Sequence, residues 1–198
     1  MASEPLVLGF DTSAAHCAAA LLRGNAVLAS RLEEMTRGQA ERLMPLLEEV
    51  LAEGGASWKD LDAIGVGVGP GNFTGIRIAV SAARGLALGL EVPAVGVDGF
   101  EARAAEGTLP AVPAPRDQVY AALPGEAPRL MPRQEAEDDA RGAGLAFAPE
   151  ASPAGIAEAI ARIAAGRFGT VTGAPAPLYL RSADAAPSSD VPPALIDG

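Results

Sequence analysis

Ile64-Gly65-Val66-Gly67-Val68-Gly69-Pro70-Gly71-Asn72-Phe73-Thr74-Gly75-Ile76-Arg77 is the stretch from which the fold can be read. Its first half is a short apolar run broken by glycines, which reads as a buried strand. Its second half opens a helix over about 73–90, with Asn72 as N-cap. Two readings of the Gly69–Gly75 loop stand side by side. A glycine-rich turn between strand and helix can present free N–H groups to an anion. Gly and Pro also simply make tight turns, and Gly75 lets a helix pack closely on its neighbour. No Lys-Ser/Thr follows the glycines, so the phosphate-loop pattern is absent. Gly75, Ala79, Ala83 and Ala87 recur every four residues, a small-residue stripe suited to close helix–helix approach.

Upstream, Leu6–Phe10 reads as a buried strand running into the polar turn Asp11-Thr12-Ser13, where open sheets place ligand-binding groups. Ala18–Leu22 and Ala26–Arg31 read as two more strands joined at Arg23-Gly24-Asn25, a hairpin turn. A helix is expected over 37–53, with Leu43, Leu46, Leu47, Val50 and Leu51 at helical spacing, Pro45 near its start and Gly54-Gly55 as its stop. Pro93–Val97 is a fifth strand and 98–106 a short helix. Downstream of Gly107 prolines punctuate the chain. A hairpin is expected near Ala111–Val112 and Val119–Leu123, an acidic surface excursion over 134–142 and an amphipathic helix over 153–166. The expected organisation is a first lobe over 1–106, a trimmed second lobe over 107–181 and a disordered tail over 182–198. The fold class is α/β, a mixed sheet with helices packed against it.

The 198 residues carry 15 Lys plus Arg against 25 Asp plus Glu, a net charge of −10. The deficit is even: 7 basic and 12 acidic side chains in residues 1–99, 8 and 13 in 100–198. Such a chain gains nothing from phosphate counterion release, so tight nucleic-acid binding by it alone is not expected. A single cysteine, Cys17, excludes an internal disulfide, and a single histidine, His16, excludes a two-His zinc site. His16 and Cys17 are strand neighbours, so their side chains point to opposite faces and do not form a Cys–His pair. The N-terminus lacks a basic n-region, and Arg77 and Arg84 interrupt the longest apolar stretch. A cytoplasmic protein with no membrane span is expected.

Gly-Phe-Asp11-Thr-Ser, the helix ending Leu43-Met-Pro-Leu-Leu-Glu-Glu-Val-Leu, Gly69-Pro-Gly-Asn-Phe-Thr-Gly-Ile-Arg77 and Pro93-Ala-Val-Gly-Val together resemble the bacterial TsaB (YeaZ) family. The likeness is dense over residues 6–105 and returns weakly at Arg116-Asp-Gln-Val-Tyr120 and Pro177-Leu-Tyr-Leu-Arg181. It implies an actin/Hsp70/sugar-kinase-like (ribonuclease H-like) two-lobe fold, here with a shortened second lobe. It also implies a non-catalytic scaffold that docks the TsaD enzyme, with a TsaE-type ATPase in the complex, to make threonylcarbamoyladenosine beside the tRNA anticodon. The tRNA would be met only through that complex. The catalytic relative holds a metal through two histidines four apart. Counted from Val97, those positions are Gly99 and Arg103, which cannot ligate a metal. No cofactor and no transition metal are therefore expected.

The rival readings are an ATP-binding regulator and a glycoprotease-like hydrolase. Nucleotide phosphates would use Asp11, Thr12, Ser13, Gly69 and Gly71, although Phe73 and Ile76 bring bulk beside that loop. Pro70, Asn72, Phe73, Thr74 and Arg77 complete the motif loop. The resemblance places the pairing surface on the two first-lobe helices, with a paralogue or, when the chain is alone, as a homodimer. The residues expected to form it are Leu43, Leu46, Leu47, Val50, Gly75, Ala79, Ala83 and Leu86. A charge at Ala79 or Ala83 is then expected to break pairing and leave the fold intact.

Overall fold

A computed structural model describes residues 4–151 and 155–180. A continuous apolar run at the start of the chain, Leu6–Phe10, builds its centre. β1 (Leu6–Asp11) is buried along its whole length and lies between β2 (His16–Arg23) and β4 (Ala63–Gly67). With β3 (Ala26–Glu34) and β5 (Ala94–Val97) they form a five-stranded sheet of order β3-β2-β1-β4-β5. The first three strands are an antiparallel meander, and β4 and β5 run parallel to β1. Gly24, with φ +56°, makes the hairpin turn expected between β2 and β3.

α1 (Gln39–Glu53) and α2 (Phe73–Leu90) cover one face of this sheet. Leu43, Leu46, Leu47, Val50 and Leu51 of α1 and Ile76, Ala79, Val80 and Ala83 of α2 bury there against Leu6, Leu8, Phe10, Cys17 and Ile64. Pro45 lies inside α1, one turn beyond the positions where proline is free of cost, so the Glu41 carbonyl loses its helical N–H partner there. α2 starts at its Asn72 cap, whose side chain accepts from the Gly75 N–H at 2.8 Å.

The opposite face belongs to α4 (Ile156–Arg167), which packs on Val7, Ala18, Ala20, Ala63, Val95 and Val97. By sequence position this helix belongs with the second lobe; by packing it belongs to the first. Gly9 and Gly65 are register partners in β1 and β4. A Cβ on Gly9 would lie 2.5 Å from the Ala157 carbonyl oxygen, and one on Gly65 2.9 Å from the Ala164 Cβ. The Ala-rich helix therefore seats directly on sheet backbone.

The second lobe holds more strand than its length suggests. β6 (Thr108–Ala114), β7 (Gln118–Ala121), β8 (Arg129–Pro132) and β9 (Ala146–Ala148) form a sheet of order β8-β7-β6-β9. β6 and β7 are the expected hairpin, Ala111 opposite Ala121. The acidic stretch expected as a surface excursion is instead helix α3 (Arg133–Gly142). Its buried side is only Ala136 and Ala140, too weak an apolar period to read, and an Arg133–Glu137 pair four residues apart supports it. The helix expected over 98–106 is a 3-10 turn, Glu101–Arg103. The first turn expected for the 153–166 helix and the tail over 182–198 lie outside the described residues, wholly or in part.

Candidate functional site

The ends of β1, β4 and β5 open on a cleft of about 450 Å³, closed from the other side by Val112, Pro113 and the segment around Pro149–Ala151. Its polar lining is Asp11, Ser13, His16, Asp98, Arg103 and Glu150. Asp11 is 2% exposed at the end of β1. Its Oδ2 accepts from the Ser13 N–H at 3.0 Å and the Ser13 hydroxyl at 2.9 Å and lies 2.7 Å from His16 Nε2. Gly67 leaves room for the carboxylate; a Cβ there would collide with Asp11 Oδ1.

The two loops expected to flank a phosphate are joined to each other. The Thr12 hydroxyl, fully buried, donates to the Gly75 carbonyl at 2.7 Å. The Asn72 N–H donates to the Ser13 carbonyl at 2.7 Å. Gly71 and Gly75 are glycines because a Cβ at either would strike the Ser13 or Thr12 carbonyl. Gly69, at φ +98°, accepts from the Gly99 N–H through its carbonyl at 2.8 Å, and the Gly69–Pro70 peptide is cis. These contacts pack the two loops closely on each other, while Gly69 and Pro70 line the cleft.

Beyond the loop, Phe73 stacks on Tyr179 with ring centroids 4.8 Å apart, and the Arg77 guanidinium lies 3.9 Å over the Phe73 ring. Arg77 Nε donates to the Tyr179 hydroxyl at 3.1 Å, and the Leu178 N–H donates to the Val68 carbonyl at 2.7 Å. The Pro177-Leu-Tyr-Leu segment thus straps the motif loop in place. Thr74 is exposed and makes no side-chain hydrogen bond among the described residues.

His16 and Cys17 face opposite sides of β2. His16 meets Asp11, while Cys17 is buried in the core, where burial pushes its thiol up to about 11. Arg103 reaches back from the 3-10 turn: Nε donates to the Pro149 carbonyl and Nη1 to the Gly99 carbonyl, each at 2.8 Å. A guanidinium and a hydrogen thus stand at the two positions, 103 and 99, where the resemblance expects metal ligands, and a Cβ on Gly99 would come within 2.8 Å of Val112. These residues do not fit a metal. Asp98 turns inward, its Oδ1 accepting from the Phe100 and Glu101 N–H groups at 2.9 Å. Neither Asp98 nor Glu150 stands out in sequence from ordinary turn acids, because only tertiary structure brings residues 98 and 150 to one cleft.

The residues expected to form a pairing surface are a correction. Leu43, Leu46, Leu47, Val50, Gly75, Ala79 and Ala83 are all buried in the core, and Leu86 is half-buried. What faces out is Leu88, 83% exposed, with Met44, Ser81, Gly85 and Gly89. The large apolar stripe seals the monomer, as burying the greatest apolar area requires.

The family described as TsaD, tRNA N6-adenosine threonylcarbamoyltransferase, matches residues 28–139. The tRNA threonylcarbamoyladenosine biosynthesis protein TsaB of Escherichia coli (strain K12) is 40% identical over 91 residues, 46% of this chain and 39% of that protein. The chain spans about half or less of the length of the curated relatives it matches. Among solved structures, YeaZ from Pseudomonas aeruginosa is 35% identical with a TM-score of 0.53, covering 64% of each chain. A second structure is described as an uncharacterized protein with similarity to peptidase YEAZ from Pseudomonas aeruginosa. It is 27% identical with a TM-score of 0.68 and covers 89% of this chain and 100% of that one.

Proposed function

The chain belongs to the TsaB (YeaZ) family and has its actin/Hsp70/sugar-kinase-like fold, and from that premise we propose that it is a non-catalytic partner in making threonylcarbamoyladenosine on tRNA. Its work is to dock and activate a TsaD-type transferase, with a TsaE-type ATPase joining the complex and tRNA met only through it. Alone, it pairs with itself through the same surface.

One observation carries the reading. α2 is apolar along its length, with mean hydropathy 1.3, yet only 28% of its residues are buried. By length and composition such a helix could cross a membrane, but its buried side is committed to the sheet and α1. The surplus apolar face of α2, with Leu88 exposed on it, fits a protein partner. Nothing lies within 4 Å of where a Cβ would stand on Gly85 or Gly89, so a partner helix can approach α2 closely there. The mutual hydrogen bonds of Thr12, Ser13, Asn72 and Gly75 support a subunit without nucleotide in the Asp11–Ser13 and Gly69–Gly71 loops. The buried thiol of Cys17 and the engagement of His16 by Asp11 weigh against a hydrolase that would use either group.

The test is co-purification with the TsaD-family transferase of the same organism, then a modification assay with and without this chain. Leu88→Arg is expected to abolish co-purification and stimulation while leaving the circular dichroism unchanged. A transferase that reaches full rate alone overturns the reading.

A further inference from the structure

Arginine carries five N–H donors. In Arg103 two of them are taken by the Gly99 and Pro149 carbonyls, and no carboxylate pairs with it among the described residues. No buried side-chain nitrogen or oxygen there lacks a partner. Nη2, which has none, is therefore accessible, and Arg103 lines the cleft. The other charged groups lining the cleft are occupied or face water: Asp11 by Ser13 and His16, Asp98 by two backbone N–H groups, and Glu150 by exposure to solvent. Burial draws the guanidinium below its ordinary value, and attraction to Asp11 and Glu150 offsets this only in part. A partly buried cation held by neutral carbonyls, with Asp11 and Glu150 near it but neither in ion-pair contact, is costly in the free protein. An anion entering the cleft relieves that cost.

We infer that this cleft binds a small oxyanion, a carboxylate- or phosphate-bearing molecule, on the free edge of Arg103. The planar guanidinium matches both groups in two-point contact. A volume of about 450 Å³ suits a small metabolite, and Val97, Val112, Ile156 and Ile160 offer its body an apolar wall. Ser13, Gly69 and Pro70 line the same cleft, but the group offered to the anion is Arg103 and not the Thr12–Ser13 and Gly71–Gly75 loops, which close on each other; the site stands independently of the docking surface on α2.

The full chain is titrated with inorganic phosphate, acetate and adenosine monophosphate at constant ionic strength in chloride, followed by amide NMR shifts. Saturable shifts are expected at Gly99 and Arg103. The tightest of the three probes identifies the carboxylate or the phosphate as the preferred group. Arg103→Leu is expected to weaken that probe at least tenfold, and Arg103→Lys several-fold, because the charge remains and the fork is lost. Arg167→Leu removes an arginine already paired with Glu101 at 2.7 Å and is expected to bind like the parent. No saturable binding above chloride for any probe, or equal affinity in Arg103→Leu, overturns the assignment. Should Arg103→Leu fail to fold, unchanged affinity in Arg103→Lys overturns it instead.

Discussion

A methyl group on Gly9 would meet the Ala157 carbonyl oxygen at 2.5 Å and the Ala161 Cβ at 2.7 Å, both on the helix that covers the sheet. Since backbone cannot swing aside as a flexible side chain can, Gly9→Ala is expected to cost about 1–3 kcal/mol, read as a lower urea midpoint. At Gly107, where nothing lies within 4 Å, the space objection is absent and only φ +72° resists a side chain. Cys17 makes a second residue-level prediction. Its thiol is raised to about 11, first by burial, then by Glu33 and Asp11 against the pull of Arg42. The unfolded thiol ionises near 8.5, so stability is full below that pH and falls as pH rises toward 11, by on the order of 2 kcal/mol. Urea unfolding at pH 7.5, 9 and 10.5 should show a steeper loss than in Cys17→Ala. Equal slopes would mean that the thiol is not the titrating group. That Cys17 and His16 point apart was legible from strand alternation alone, whereas the value of Gly9 was not, because its neighbour is about 150 positions away in sequence.

α2 is the element where sequence and structure agree in extent and differ in meaning. Its cap, start and end are local: Asn72 bonds the Gly75 N–H, and Asn72→Ala is expected to cost about 1 kcal/mol of stability. Which side of the helix faces the sheet is not local. Gly75, Ala79 and Ala83 form a small-residue stripe that could serve docking or core packing, and here it is core. Ala83→Glu therefore buries an unpaired carboxylate, and is expected to unfold the chain by several kcal/mol rather than merely split a dimer. Leu88→Glu, on the open side, should keep the circular dichroism and thermal midpoint and lose self-association in sedimentation. If Leu88→Glu still pairs, the surface on α2 is not the one used. α3 was hidden for the opposite reason: two alanines four apart give too little contrast against its charged face.

At the scale of the molecule, α4 decides whether the first lobe can exist. Among the described residues Val7, Ala18, Ala20, Val95 and Val97 are covered chiefly by that helix, which arrives after the whole second lobe, with Ala102, Phe168 and Val171 beside it. A chain cut after residue 151 would expose this sheet face, and is expected to lose near-ultraviolet dichroism and aggregate; a well-folded fragment would show that the sheet does not need its cover. The sequence by itself determined the β-β-β-α-β-α-β order of the first hundred residues, the caps and turns that punctuate it, and the family motif. All of these are written in short-range patterns: short apolar runs in strands, three- and four-residue spacing in helices, and Gly or Asn where the backbone must turn. Only the tertiary structure decided that α4 crosses back to the first sheet, that the Thr12 and Gly75 loops close on each other, that Leu43 and Ala83 face inward, and that Arg103 bonds carbonyls with no carboxylate in contact among the described residues. The physical reason is that burial and pairing are properties of contacts between distant segments. One apolar stripe, glycine loop or arginine fits several partners equally well until the fold has chosen one.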